Sequence, residues 1–201
     1  MLYDRATRIV VAGFALWVST SAFIAFESDR AARNWHPSIG VLPQEQALGH
    51  LSYRRWEAML VACDDWLAQQ TVKAAQHIAG CAQLAAPDGR RASPAILHIV
   101  HAHVLAAKGA PFAAREALGR AYQQAPSSGW LAARRLKLAF QLPSPPSAMP
   151  DWVTADVRLI LQTRRFHPVL HFAFRHRPEL RPWLVSLTEE NPSTLTESPR
   201  L

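Results

Sequence analysis

Few residues of this 201-residue chain are of types that could do chemistry, and their spacing restricts what they can do. Cys63 and Cys81 are the only cysteines. They form no Cys-x-x-Cys pair, which argues against thiol redox catalysis and leaves a disulfide as an open question. Asp64-Asp65 and Glu189-Glu190 are adjacent carboxylates, whose side chains diverge on a helix and cannot readily share acid–base work. His98 and His101 lie three residues apart on one helical face, and His103 points elsewhere. His167 and His171 are four apart, but Pro168 sets His167 at a helix edge. A metal centre needs three or four ligands, and no carboxylate follows either histidine pair at ligand spacing. Nucleophile-elbow, phosphate-loop and dinucleotide signatures are absent from the sequence. The expectation is a non-enzyme with no catalytic residue, no cofactor and no metal.

The second group able to act is cationic. The formal charge is +7, and all but three of the 22 basic residues are arginine. Toward the C-terminus Arg158, Arg164, Arg165, Arg175, Arg177 and Arg181 stand among His167, His171 and His176. Phe166, Phe172, Phe174 and Trp183 are interleaved with them. Such a mixture can meet anionic lipid or acidic glycan, with Arg164, Arg165, Arg175 and Arg177 as the contacts. Its bland counterpart is a solvated arginine face over a core of aromatics, which the sequence favours because adjacent arginines cannot share one face.

What positions these residues begins with an apolar stretch. Residues 9–26 read IVVAGFALWVSTSAFIAF, eighteen positions without a formal charge. A helix of that length spans about 27 Å, near the thickness of the hydrocarbon core. Arg5 and Arg8 precede it, which favours residues 1–8 inside and the rest outside. A cleaved signal peptide ending near Ser21-Ala22 is the alternative. Either reading carries the body across the membrane, and the apolar run past Ala22 favours an uncleaved anchor. The expected location is the inner membrane, single-pass, with the body in the periplasm. That export argues against nucleic acid as a partner. Residues 27–42 then read as a stalk.

From residue 43 to 142 helical periodicity dominates and strand signals are lacking, so the expected class is all-α. Trp56, Met59, Leu60, Cys63, Trp66 and Leu67 fall on one helical face. Ser93-Pro94 reads as a helix start, and Gly109 as a left-handed stop. "KAAQHIAGCAQLAAP" (73–87) and "FAAREALGRAYQQAP" (112–126) match at six of fifteen positions across a 39-residue offset. The same offset sets Cys63 on Ala102, Trp66 on Leu105 and Cys81 on Arg120. Cys63 is thereby expected inward and Cys81 outward, as two separate small residues rather than a bridge.

The arrangement resembles the tetratricopeptide repeat, a helical hairpin with small residues at close helix crossings and a closing proline. Ala102, Leu105, Gly109, Ala114, Ala121 and Pro126 occupy the family's positions in one unit. Cys63, Trp66, Ala75, Ala82 and Pro87 occupy them in the other, with Gln70 in place of the turn glycine. The offset of 39 exceeds the family's ~34, and Met59 and His98 stand where the family places a large aromatic. The resemblance implies an antiparallel helical-hairpin α-solenoid behind an N-terminal transmembrane helix. It implies a protein–protein interaction scaffold or assembly factor for cell-envelope machinery, polysaccharide polymerisation or export and cytochrome maturation being such settings. Trp66, His98, His101 and Trp130 are the expected partner contacts. Residues 143–150 form a proline-rich linker, 151–190 the basic C-terminal helices with Asp151 as a cap, and 191–201 a frayed tail. The alternative function is a polyanion-binding envelope protein that uses the C-terminal Arg/His cluster.

Overall fold

A computed structural model of the chain describes residues 52–69, 75–86, 94–143 and 149–189, together with Thr20, Phe23, Trp35 and Pro37. The expected membrane segment, the stalk, the repeat turn at Gln70, most of the proline-rich linker and the tail lie outside the described residues. Among the described residues the protein is all-helical, without strands. No described helix is long and apolar enough to cross a membrane.

The order is α1 (Tyr53–Leu67), α2 (Ala75–Leu84), α3 (Ala95–Ala107), α4 (Pro111–Gln124), α5 (Gly129–Ala139) and α6 (Asp151–Gln162). A 3-10 turn (Arg164–Phe166) leads to α7 (Pro168–His176), and a second (Pro178–Leu180) leads to α8 (Arg181–Glu189). Local chemistry sets these bounds. Ser52 caps α1, its hydroxyl accepting from the Arg55 N–H at 3.3 Å, which satisfies an otherwise orphaned first-turn donor. Gly109 ends α3 at φ +75°. Its N–H donates to Ala106 O at 3.1 Å, and that of Ala110 donates to Leu105 O at 3.0 Å. This is a Schellman closure, in which the left-handed position suits a residue without Cβ. Two expected starts move by one residue. Pro94 rather than Ser93 is the cap of α3, and Pro150 rather than Asp151 the cap of α6. An extended ψ at each proline places the next residue first in the helix, and Asp151 joins the first turn, where the helix dipole favours its charge.

From α1 to α6 each helix packs with its chain neighbours; α1 also packs on α3, α3 on α5 and α7 on α5. The α3–α4 hairpin is the most extensive of these interfaces. Small residues sit at its centre: Ala102, Ala114, Ala117 and Ala121 are fully buried. With helix axes about 8–10 Å apart, a larger side chain at these crossings would force the pair open. Around them Leu60, Ile99, Leu118, Leu136, Phe140 and Val157 belong to one continuous apolar core.

The two cysteines correct the sequence expectation. Cys81 is buried, not outward, and is bonded to Cys63 with 5.8 Å between Cα atoms. Its counterpart across the offset, Arg120, is exposed as expected. The alignment presumed that α2 and α4 turn the same face inward. A thiol loses little by leaving water, whereas a guanidinium must keep its hydration or find a partner. The Trp56 indole adds a second tie between α1 and the end of α2, donating to Leu84 O at 3.2 Å.

A second buried tie joins α5 to α6. Arg135 and Asp156 are both 0% exposed and meet through two hydrogen bonds of 2.7 Å. Arg135 also donates to Ala125 O at 3.2 Å and lies over the Tyr122 ring. All its donor directions thus stay inside the protein, which is how a charge is kept in a core.

Candidate functional site

The turn of the chain after α6 brings the 3-10 segment and α7 against α5, and a cleft of about 600 Å³ opens between them and the C-terminal end of α1. Trp130 of α5, Phe166, Val169 and Phe172 supply its apolar wall. Phe166 can lie against the first turn of α5 because Gly129 has no side chain. A Cβ there would stand 3.0 Å from the phenyl ring. His167 precedes α7 and reaches back to α6, with its Nε2 3.2 Å from Leu161 O.

The polar end of the cleft is a network of four residues on three helices. Asp64 of α1 is 2% exposed, and its carboxylate pairs with Arg134 of α5 and with His103 of α3. The His103 Nε2 to Asp64 Oδ1 distance is 3.1 Å. Arg134 also reaches Asp65 at 2.8 Å and covers the Trp130 ring at 5.4 Å. Burial by itself would push the Asp64 carboxyl up, but His103 and Arg134 together hold it below the ordinary carboxylate value. Arg134 therefore bridges Asp64 and Asp65, whose carboxylates converge on its Nη1 rather than diverging as the helix spacing suggested, and offsets one of their two charges. It is an anchor that fixes α5 over the ends of α1 and α3.

Arg134 is thus fully engaged, but two other cations at the cleft are not. Lys137, in the last turn of α5, and the exposed Arg165 have no ion pair among the described residues. Arg165 lies over the Phe166 ring at 5.7 Å.

Of the residues expected to meet a partner, Trp130 lines this cleft and is 39% exposed. Trp66, half-buried on α1, packs against the core instead. His98 and His101 lie toward α4: His98 Nε2 is 3.0 Å from the Gln124 amide, and neither histidine lines the cleft. Burial, then the nearby Arg120 charge, holds both imidazoles below the ordinary histidine value.

The C-terminal cations divide in the same way. Arg165 and Arg175 are exposed. Arg177 is committed to the fold, donating to Phe140 O at 2.7 Å and Leu142 O at 2.9 Å and pairing with Glu179. Arg164 opens the first 3-10 turn, and its side chain lies outside the described residues. The four arginines thus play different parts, and the structure brings only Arg165 to the cleft.

Sequence reasoning set Asp64 and His103 aside without joining them and did not single out Arg134, yet a signal was present. The 39-residue offset that joins the two units carries position 64 onto position 103. Equivalent positions on stacked first helices are neighbours, so an aspartate and a histidine there are placed to pair. Among the described residues no group of three or more metal-ligating side chains occurs. Compared with known protein families, curated proteins and solved structures, the chain matches none.

Proposed function

We propose that this protein is a membrane-anchored, extracytoplasmic helical-repeat scaffold that docks a protein partner as an assembly factor of the cell envelope. The observation that carries the reading is the cleft itself, an apolar aromatic trough with Trp130 exposed beneath Arg134 and held open by a buried ion network. Trp and Arg in a concave, partly desolvated position are the residue types that dominate binding energy at protein interfaces. Contacts between α1 and α3 and between α3 and α5 support stacked hairpins of the tetratricopeptide kind. The Cys63–Cys81 bond supports an oxidising compartment. The apolar, Arg-preceded stretch at 9–26 supports a single anchor with the body outside.

Crosslinking followed by affinity purification of the intact protein from native membranes tests the proposal. One stoichiometric membrane-protein partner is the expected result, and recovery of the protein alone contradicts it.

A further inference from the structure

We infer that the cleft accepts an acidic apolar peptide, a partner segment in which one or two carboxylates flank large aliphatic or aromatic side chains. The inference rests on the scaffold reading and adds the chemistry of the occupant. Charge decides the sign. Asp64 and Asp65 both face Arg134, and Asp64 meets His103 as well, so the carboxylates at this end already have partners. Lys137 and Arg165, also lining the cleft, have no ion pair among the described residues, Arg165 lying over the Phe166 ring. An incoming carboxylate gains two cations without displacing an existing pair, whereas an incoming lysine or arginine meets two like charges.

The apolar half of the occupant follows from the wall. Phe166, Val169 and Phe172 pack on the core from one side only and present their other faces to the cleft, and Trp130, 39% exposed, stands at its edge. A volume of about 600 Å³ takes a few large side chains, not a whole domain, so the occupant is a short segment. Asp64 and His103, both 2% exposed, are closed to the occupant, and the half-exposed Asp65 is held by Arg134 at 2.8 Å, leaving Lys137 and Arg165 as the cations that face it. Cations at the edge of an aromatic trough therefore set charge preference and orientation, and the trough supplies most of the affinity.

The test is selection of a phage-displayed random dodecapeptide library on the full-length protein in lipid nanodiscs, followed by binding of the selected peptides. A Lys137→Glu/Arg165→Glu variant serves as counter-target. Its side chains lie at the cleft edge outside the core, and circular dichroism verifies its fold. Peptides that combine Asp or Glu with Leu, Phe or Trp are expected. Their affinity should fall about tenfold or more on the double variant, the loss of roughly 1.4 kcal/mol of charge pairing. Selected peptides that are neutral or basic overturn the inference, as do acidic peptides that bind the double variant equally well. Failure to select any peptide overturns it too, including the case where dodecanoate binds instead and marks a lipid site. The scaffold reading falls separately, when native membranes yield no partner. A partner whose binding ignores Lys137 and Arg165 leaves the scaffold standing and removes only the acidic occupant.

Discussion

Asp64 and His103, 39 residues apart on α1 and α3, meet at 3.1 Å inside the protein, and Arg134 closes the network from α5. Three helices that contribute to the cleft are thus tied at one point. The geometry of the trough depends on that tie more than on any local turn.

Removing the carboxylate should therefore loosen both the fold and the cleft. Asp64→Ala leaves the buried His103 without its carboxylate partner and Arg134 with Asp65 alone, at an expected cost of about 2–4 kcal/mol. Urea unfolding at neutral pH measures it. The pH dependence has a definite sign. The Asp64 value is lowered on folding, so its contribution is present above the unfolded carboxylate value near 4 and is lost as pH falls through the folded value. Asp64→Asn should flatten this acid limb below pH ~4.

Histidine adds a second pH window. His98 and His101 are both held below the ordinary histidine value by burial and then by Arg120. The unfolded chain therefore binds protons first, and stability should decline as pH falls from about 6.5 toward the folded values. His98→Gln/His101→Gln should remove this decline, read from thermal unfolding between pH 7.5 and 5. The Asp64 limb at lower pH should remain.

The Cys63–Cys81 bond closes a loop with a sequence separation of 18. The loop-entropy relation gives about 3 kcal/mol for a ring of that size. Dithiothreitol or Cys63→Ala/Cys81→Ala should lower stability by roughly this amount. Unchanged unfolding under reducing conditions would show that the bond contributes nothing.

Arg135 and Asp156 give a sharper contrast. Breaking one side, as Arg135→Met or Asp156→Leu, strands a charge that is 0% exposed, with an expected cost of about 3–5 kcal/mol. The double replacement by apolar residues should recover most of it. Additive losses in the double-mutant cycle would mean that the two side chains act separately.

How far the sequence revealed this protein depends on the distance over which each feature is encoded. Gly109, the buried alanines of α3 and α4 and the helical class were legible, because periodicity and a left-handed stop act within one or two turns. Cys81 was misread because an alignment transfers a residue's place but not the rotation of its helix, and α2 differs from α4 in that rotation. The cleft was not legible as a site. Arg165 approaches Lys137 only after the chain has passed the proline-rich break and α6, and no spacing rule joins them. Among the residues expected at an interface, Trp130 stands at the cleft wall, while His98 and Trp66 serve packing within and between helices.

Docking of a protein partner in the cleft beside Trp130 is the step on which the proposed function depends. A photo-reactive amino acid placed at Trp130 in the intact protein, irradiated in native membranes, tests it most directly. Phe112, which is 79% exposed on α4 and does not line the cleft, is the control position. One discrete membrane-protein adduct is expected from position 130 and none from position 112. An adduct from position 112 alone, equal labelling from both, or no adduct from position 130 would contradict it.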